Sequence, residues 1–178
     1  MYVAIPLWII AGIVDWLTHR ASNIQQNAGS TESILHIILV SQMAVPIIGA
    51  LFLEINAAFF LMTAAALLAH QITIYIDLNY AYTKRKIGPV EQMIHGVQEM
   101  IPYMATILLA ILHWRQFTAL FGMTEAADFT FRIKQVFPPM WYIASLVLSG
   151  GLVFLLFVEE LIRCLKFSKA ARKPIATL

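Results

Sequence analysis

Glu91, His95 and Glu99 stand four residues apart. On an α-helix that spacing puts two carboxylates and an imidazole on one face over roughly two turns. The chain then runs into Ile101–Leu112, apolar enough to enter a bilayer. Ionisable groups at such a place are costly unless partners hold them. The sequence offers partners three more times: Asp15 with His19, Glu32 with His36, and His70 with Asp77. Carboxylate and imidazole together favour iron, zinc or manganese, and the lack of thiolate among them argues against an iron–sulfur cluster or Cu(I). These nine candidate ligands exceed what one metal needs. The expectation is one polynuclear site with two metal ions, or three, iron foremost and zinc or manganese as alternatives. Some of the carboxylates would orient imidazole N–H groups instead of binding metal. His70 discriminates best, because it follows the apolar run Ala64–Ala69.

The elements that must carry these residues follow from composition. Of 178 residues, 60% are apolar and 12% charged, far from the balance of a soluble domain. A single cysteine, Cys164, rules out an intrachain disulfide. Basic residues flank apolar stretches and do not line a polar face, which excludes a nucleic-acid partner. The expected fold is an all-α integral membrane protein, one transmembrane domain over residues 1–178. Its five transmembrane helices cover approximately residues 2–19, 33–53, 57–80, 89–113 and 139–163, since a span needs roughly 20 residues for a core of about 30 Å. The first four are expected to form the metal-binding bundle. The first lacks the basic n-region and cleavage site of a signal peptide. Pro46 is expected to kink the second. Gly88-Pro89 opens the fourth.

Orientation follows from lysine and arginine. Arg20, Lys84, Arg85, Lys86, Arg163, Lys166, Lys169, Arg172 and Lys173 fall on one side of a five-span arrangement, and Arg115, Arg132 and Lys134 on the other. The N-terminus is therefore expected outside and the C-terminus in the cytoplasm, in a bacterial inner membrane. With that topology, all four acid–histidine sets fall at the inner end, although none was used to choose it. The connection from Arg115 to Pro138 lies outside, with Phe129, Phe131, Ile133 and Val136 along the interface.

The pattern resembles the di-iron four-helix bundles, whose dimetal sites draw carboxylates and histidines from facing helices. Ferritin-like members carry Glu-x-x-His, whereas this chain carries Asp-x-x-x-His and Glu-x-x-x-His. The spacing and the share of histidine are more similar to hemerythrin, whose helices also pair a histidine with a carboxylate about one turn away. This resemblance covers ligand spacing over Asp15–Glu99, implies a dinuclear site, and transfers no named residue.

The function expected is a membrane-embedded di-iron enzyme oxidising a lipid or other apolar substrate at the cytoplasmic side. The redox chemistry would belong to the cofactor and the positioning to the protein. Its partners would be membrane lipids, a lipidic substrate entering from the leaflet, and an electron donor at the basic inner face. The alternative is a zinc-type lipid hydrolase with Glu99 or Asp77 as general base. A metal transporter fits less well, because the outer half offers mainly Ser41, Gln42 and Thr63. A haem protein fits poorly, because carboxylates would crowd an apolar macrocycle. Simpler roles are expected elsewhere. Glu54 and His113 read as outer turn or interface residues. Glu159, Glu160 and Arg163 read as a local salt bridge, and Lys84-Arg85-Lys86 as a topology signal. Trp8, Trp16, Trp114, Trp141 and Tyr142 read as aromatic belts, and Tyr75, Tyr80 and Tyr82 as interface residues.

Overall fold

The structure is a computed structural model that describes residues 3–124 and 126–171. The expected start of the first span at residue 2, and Arg172 and Lys173 of the charge count, lie outside the described residues. Six α-helices follow in order: α1 (Ala4–Ala21), α2 (Gly29–Phe52), α3 (Ala57–Lys84), α4 (Pro89–Leu112), α5 (Trp114–Ala119) and α6 (Met140–Ala171). A 3-10 turn, Ile24–Gln26, links α1 to α2. Among the described residues no β-strand forms, and a single isolated bridge joins Leu53 to Ile133.

Helices α2, α3, α4 and α6 are long and apolar enough to cross a membrane. Helix α1 falls short of that standard because Asp15, His19 and Arg20 occupy its last two turns. Large side chains such as Leu61, Leu68, Ile107, Ile111, Leu148 and Leu155 are exposed along the long helices. Apolar surface on that scale suits lipid and not water. The helix lengths exceed the expected spans: α3 reaches Lys84 and α6 reaches Ala171. Helix α2 is continuous through Pro46.

Local chemistry explains the boundaries. Gly88 caps α4 and Pro89 takes its first turn, where no amide hydrogen is needed. Asn56 caps α3, its side-chain oxygen accepting from the Phe59 N–H at 3.1 Å. The Lys134 ammonium donates to the Ala50 carbonyl at 2.5 Å, placing a cation near the C-terminal end of α2. Gly29, with φ +67°, starts α2 in a backbone conformation that other residues adopt at a cost.

Helix α1 packs on α4 and α6, and α2 packs on α3 and α6. The bundle around the expected site therefore includes α6 and is not confined to the first four helices. Close approach of α1 to α6 depends on Gly12, where a Cβ would sit 2.9 Å from a Val153 methyl. At the far end, Ile55, Phe59, Phe60 and Ala110 form a small core. The segment after α5 is fastened over the α2–α3 turn. Glu54 N–H donates to the Arg132 carbonyl (2.9 Å), Lys134 N–H to Phe52 (2.8 Å), and Ala58 N–H to Asp128 (3.0 Å). The Asn56 amide adds a bond to the Thr130 carbonyl at 2.8 Å. Glu54 pairs with Arg132 at 3.1 Å in this turn.

Because Asn56 both caps α3 and holds this segment, Asn56→Ala is expected to cost about 1 kcal/mol through the cap alone. It should also speed proteolysis within residues 126–136. Thermal melting in detergent and limited proteolysis check this.

Candidate metal centre

One end of the bundle gathers the acid–histidine sets. Asp15 and His19 come from the last turns of α1, Glu32 and His36 from the first turns of α2, and Asp77 from late in α3. Glu91 and His95 come from the start of α4. Asp15, His19, Glu32, His36, Asp77 and Glu91 are all buried, and His95 is partly so. The expected pairs within a helix are not the main contacts. The close pairings run between helices: His95 Nε2 lies 3.1 Å from Asp15 Oδ1, and His36 Nε2 lies 3.2 Å from Asp77 Oδ2.

His19 is the centre. It is completely buried. Its Nε2 faces Glu91 Oε1 at 3.3 Å, Asp15 Oδ1 at 3.5 Å and Glu32 Oε1 at 4.0 Å. None of the three sits in hydrogen-bond geometry. Donor atoms about 2.0–2.1 Å from a tetrahedral metal lie roughly 3.3 Å from one another, which is the spacing seen here. Two groups of donors each fall within 4.8 Å: Asp15, His19, Glu91 and His95, and His19, Glu32 and His36. The two groups share His19, and each could hold a metal ion.

The other face of His19 is held by a residue that the sequence reading assigned to a local salt bridge. Glu160 on α6 is fully buried; its Oε2 lies 3.0 Å from His19 Nδ1, and its Oε1 accepts from the Ser33 hydroxyl at 2.9 Å. The same Oε1 lies 3.7 Å from His36 Nδ1. A carboxylate on Nδ1 fixes the tautomer that leaves Nε2 free for metal. The local pair forms without Glu160: Arg163 meets Glu159 at 3.4 Å. A signal for Glu160 was present, since it falls in helical register with Val153, Phe157 and Cys164, the buried face of α6. Acid–histidine spacing cannot reveal it, because α6 has no histidine.

Arg85 also has a second role beyond topology. It reaches back from the α3–α4 connection with its side chain 4% exposed. Its guanidinium donates to Glu32 (Nη2 to Oε1, 2.5 Å; Nε to Oε2, 3.3 Å) and to both oxygens of Glu91, with Nη1 to Oε2 at 2.8 Å. Burial alone would lower its pKa, but these carboxylates more than reverse that and hold it above the ordinary arginine value. Beneath the cluster, Ile24, Ala28 and Cys164 pack with Tyr80, whose hydroxyl donates to the Ala28 carbonyl at 2.9 Å. Tyr80 thus packs against the turn that precedes α2, beside the site.

His70 and Glu99 stand apart from both donor groups. They line a cavity of about 130 Å³ that opens from the cluster, together with Asp15, His36, Asp77 and His95. The rest of its wall is mostly apolar, including Trp8, Leu39, Met43 and Phe157. His113 lies at the opposite end, beside the pocket that Glu54 and Lys134 also line. Compared with known protein families, with curated proteins and with solved structures, the chain matches none.

Removing Arg85 would leave Glu32 and Glu91 buried against each other without their cation. Arg85→Ala is expected to destabilise by about 3–5 kcal/mol, whereas Arg20→Ala, whose pair with Glu159 is exposed, should cost at most about 1 kcal/mol. Thermal melts of the two variants in the same detergent give the comparison.

Proposed function

We propose that this cluster binds two metal ions, and that the chain is a membrane-embedded metalloenzyme acting on an apolar substrate. The observation that carries it is His19, whose Nε2 faces three carboxylate oxygens while Glu160 occupies Nδ1. Asp15, Glu32, Asp77, Glu91 and Glu160 supply five carboxylates, and Arg85 is the one permanent cation bonded to them among the described residues. His19 and His36 are stacked with ring centroids 4.5 Å apart, so protonating both to balance the charge would set like charges together. Metal cations supply that positive charge while the imidazoles stay neutral ligands.

Oxygen and nitrogen donors alone suit iron, manganese or zinc. In the reading favoured here the pair is iron, which supplies redox chemistry with O₂ as oxidant and an external electron donor at the basic inner face. The protein positions the substrate: Glu99 and His70 line the cavity where its reacting part would sit. The second reading is hydrolysis at zinc. It draws support from Asp77, whose Oδ1 has no hydrogen-bond partner among the described residues and which lines the same cavity, where a general base would stand. In both readings the chain crosses the membrane five times, α1 included, with its N-terminus outside, its C-terminus in the cytoplasm, and the site beneath the inner leaflet of a bacterial inner membrane.

Elemental analysis of the purified protein is expected to give about two metals per chain. His19→Ala should lose both, and Glu160→Gln should weaken binding by about 10–100-fold. His70→Ala should keep its metal and lose activity. Iron with the Mössbauer signature of a coupled pair selects the oxidase, and redox-silent zinc in active protein selects the hydrolase. Full metal content in His19→Ala would overturn the site.

A further inference from the structure

A second cavity of about 280 Å³ lies further along the bundle, and the two share Trp8 and Met43 as walls. Its lining is apolar apart from Thr63, Thr106 and the tips of Trp8 and Tyr142. Followed along α2, the first cavity runs from His36 to Met43 and the second from Met43 to Leu51. Together they cover about 22 Å at 1.5 Å per residue. The hydrocarbon of one leaflet is about 15 Å deep, half of a core of about 30 Å. Polarity changes in one direction only: Asp15, His36, Asp77 and Glu99 lie in the first cavity, and among the described residues no charged one lines the second.

We propose that the two cavities form one tunnel for a single linear acyl chain of a lipid amphiphile, with its polar head at the acid–histidine cluster. The proposal names the substrate class of the site described above and rests on that reading. Several features favour this occupant. The two cavities follow one another along α2, an elongated layout that suits a linear chain better than a compact ring system. At the junction stands Met43, 1% exposed, an unbranched and adaptable side chain that can yield to a passing methylene chain. Opposite it, Trp8 is fixed by its indole N–H, which donates to the Gln98 carbonyl at 3.2 Å. The pair would set how far a chain reaches, and Ala105, which lines only the second cavity, would mark the far stretch.

Trp8 can report occupancy directly. In a protein whose other three tryptophans (Trp16, Trp114 and Trp141) are changed to phenylalanine, Trp8 is the sole indole. The probe is a long-chain fatty acid brominated at mid-chain, titrated in unbrominated detergent with and without chelator. A brominated fatty acid half as long serves as comparison. Saturable quenching at one probe per protein is expected from the long chain. Ala105→Phe should weaken long-chain binding by about tenfold, equal to about 1.4 kcal/mol, while leaving the short chain unaffected. An unfolded variant would lose both. Quenching that rises without saturation, or that is the same in Ala105→Phe for both chains, means partition into the micelle and overturns the tunnel. Saturable quenching that survives the chelator supports the tunnel even if metal analysis rejects the metal site. A metal-loaded protein with unsaturable quenching rejects the tunnel alone.

Discussion

The structure depends on one electrostatic constraint: carboxylates from four helices converge on a single buried histidine. Asp15, Glu32 and Glu91 approach one ring nitrogen of His19, and Glu160 takes the other. In a chain whose long helices suit lipid, such a gathering of anions is strongly unfavourable unless cations balance it. Arg85 neutralises part of the charge from one side. The donor spacing around His19 Nε2 matches what a small metal would impose. The same interaction then explains the helix arrangement, because each helix that approaches His19 brings a charge that the centre must satisfy.

Positioning of these groups is rigid for identifiable reasons. The cluster is clamped from below by the Ile24–Ala28 turn and the Tyr80 hydroxyl, and from the side by the Arg85 fork. Gly12 lets α1 and α6 approach closely enough for His19 to reach Glu160. The Ser33 hydroxyl holds the second oxygen of that glutamate at 2.9 Å. Side chains held by locked neighbours would need little further ordering to receive a metal ion. On the open side the wall changes to the apolar side chains of Trp8, Met43 and Phe157.

Much of this was legible in the residues. Apolar runs separated by short polar turns located the long helices, and acid–histidine spacing at comparable depth pointed to one end of the bundle. Seven of the nine residues singled out come together there, while His70 and Glu99 face the cavity. What was not legible has physical causes. Spacing within a helix cannot show which neighbour across the bundle a side chain meets, so the His95–Asp15 and His36–Asp77 pairings were hidden. Glu160 escaped because its significance lies in register with Phe157 and not in proximity to a histidine. Arg85 sits in a run of three basic residues that reads as a topology signal, and only the chain reversal before Pro89 turns it inward. Helix α1 is the intermediate case, since the groups that make it functional also reduce its resemblance to a membrane span.

The most direct test of whether cations hold this cluster together is the thermal midpoint of the purified protein, compared before and after metal removal by a chelator. A ligand at a thousandfold excess over its dissociation constant adds about 4 kcal/mol of stability. At about 2–4 °C per kcal/mol for a chain of this size, the account predicts a fall of roughly ten degrees on chelation and recovery when metal is returned. A midpoint that does not move with chelator or added metal would show that the buried carboxylates are balanced by Arg85 and protons without metal, and would contradict it.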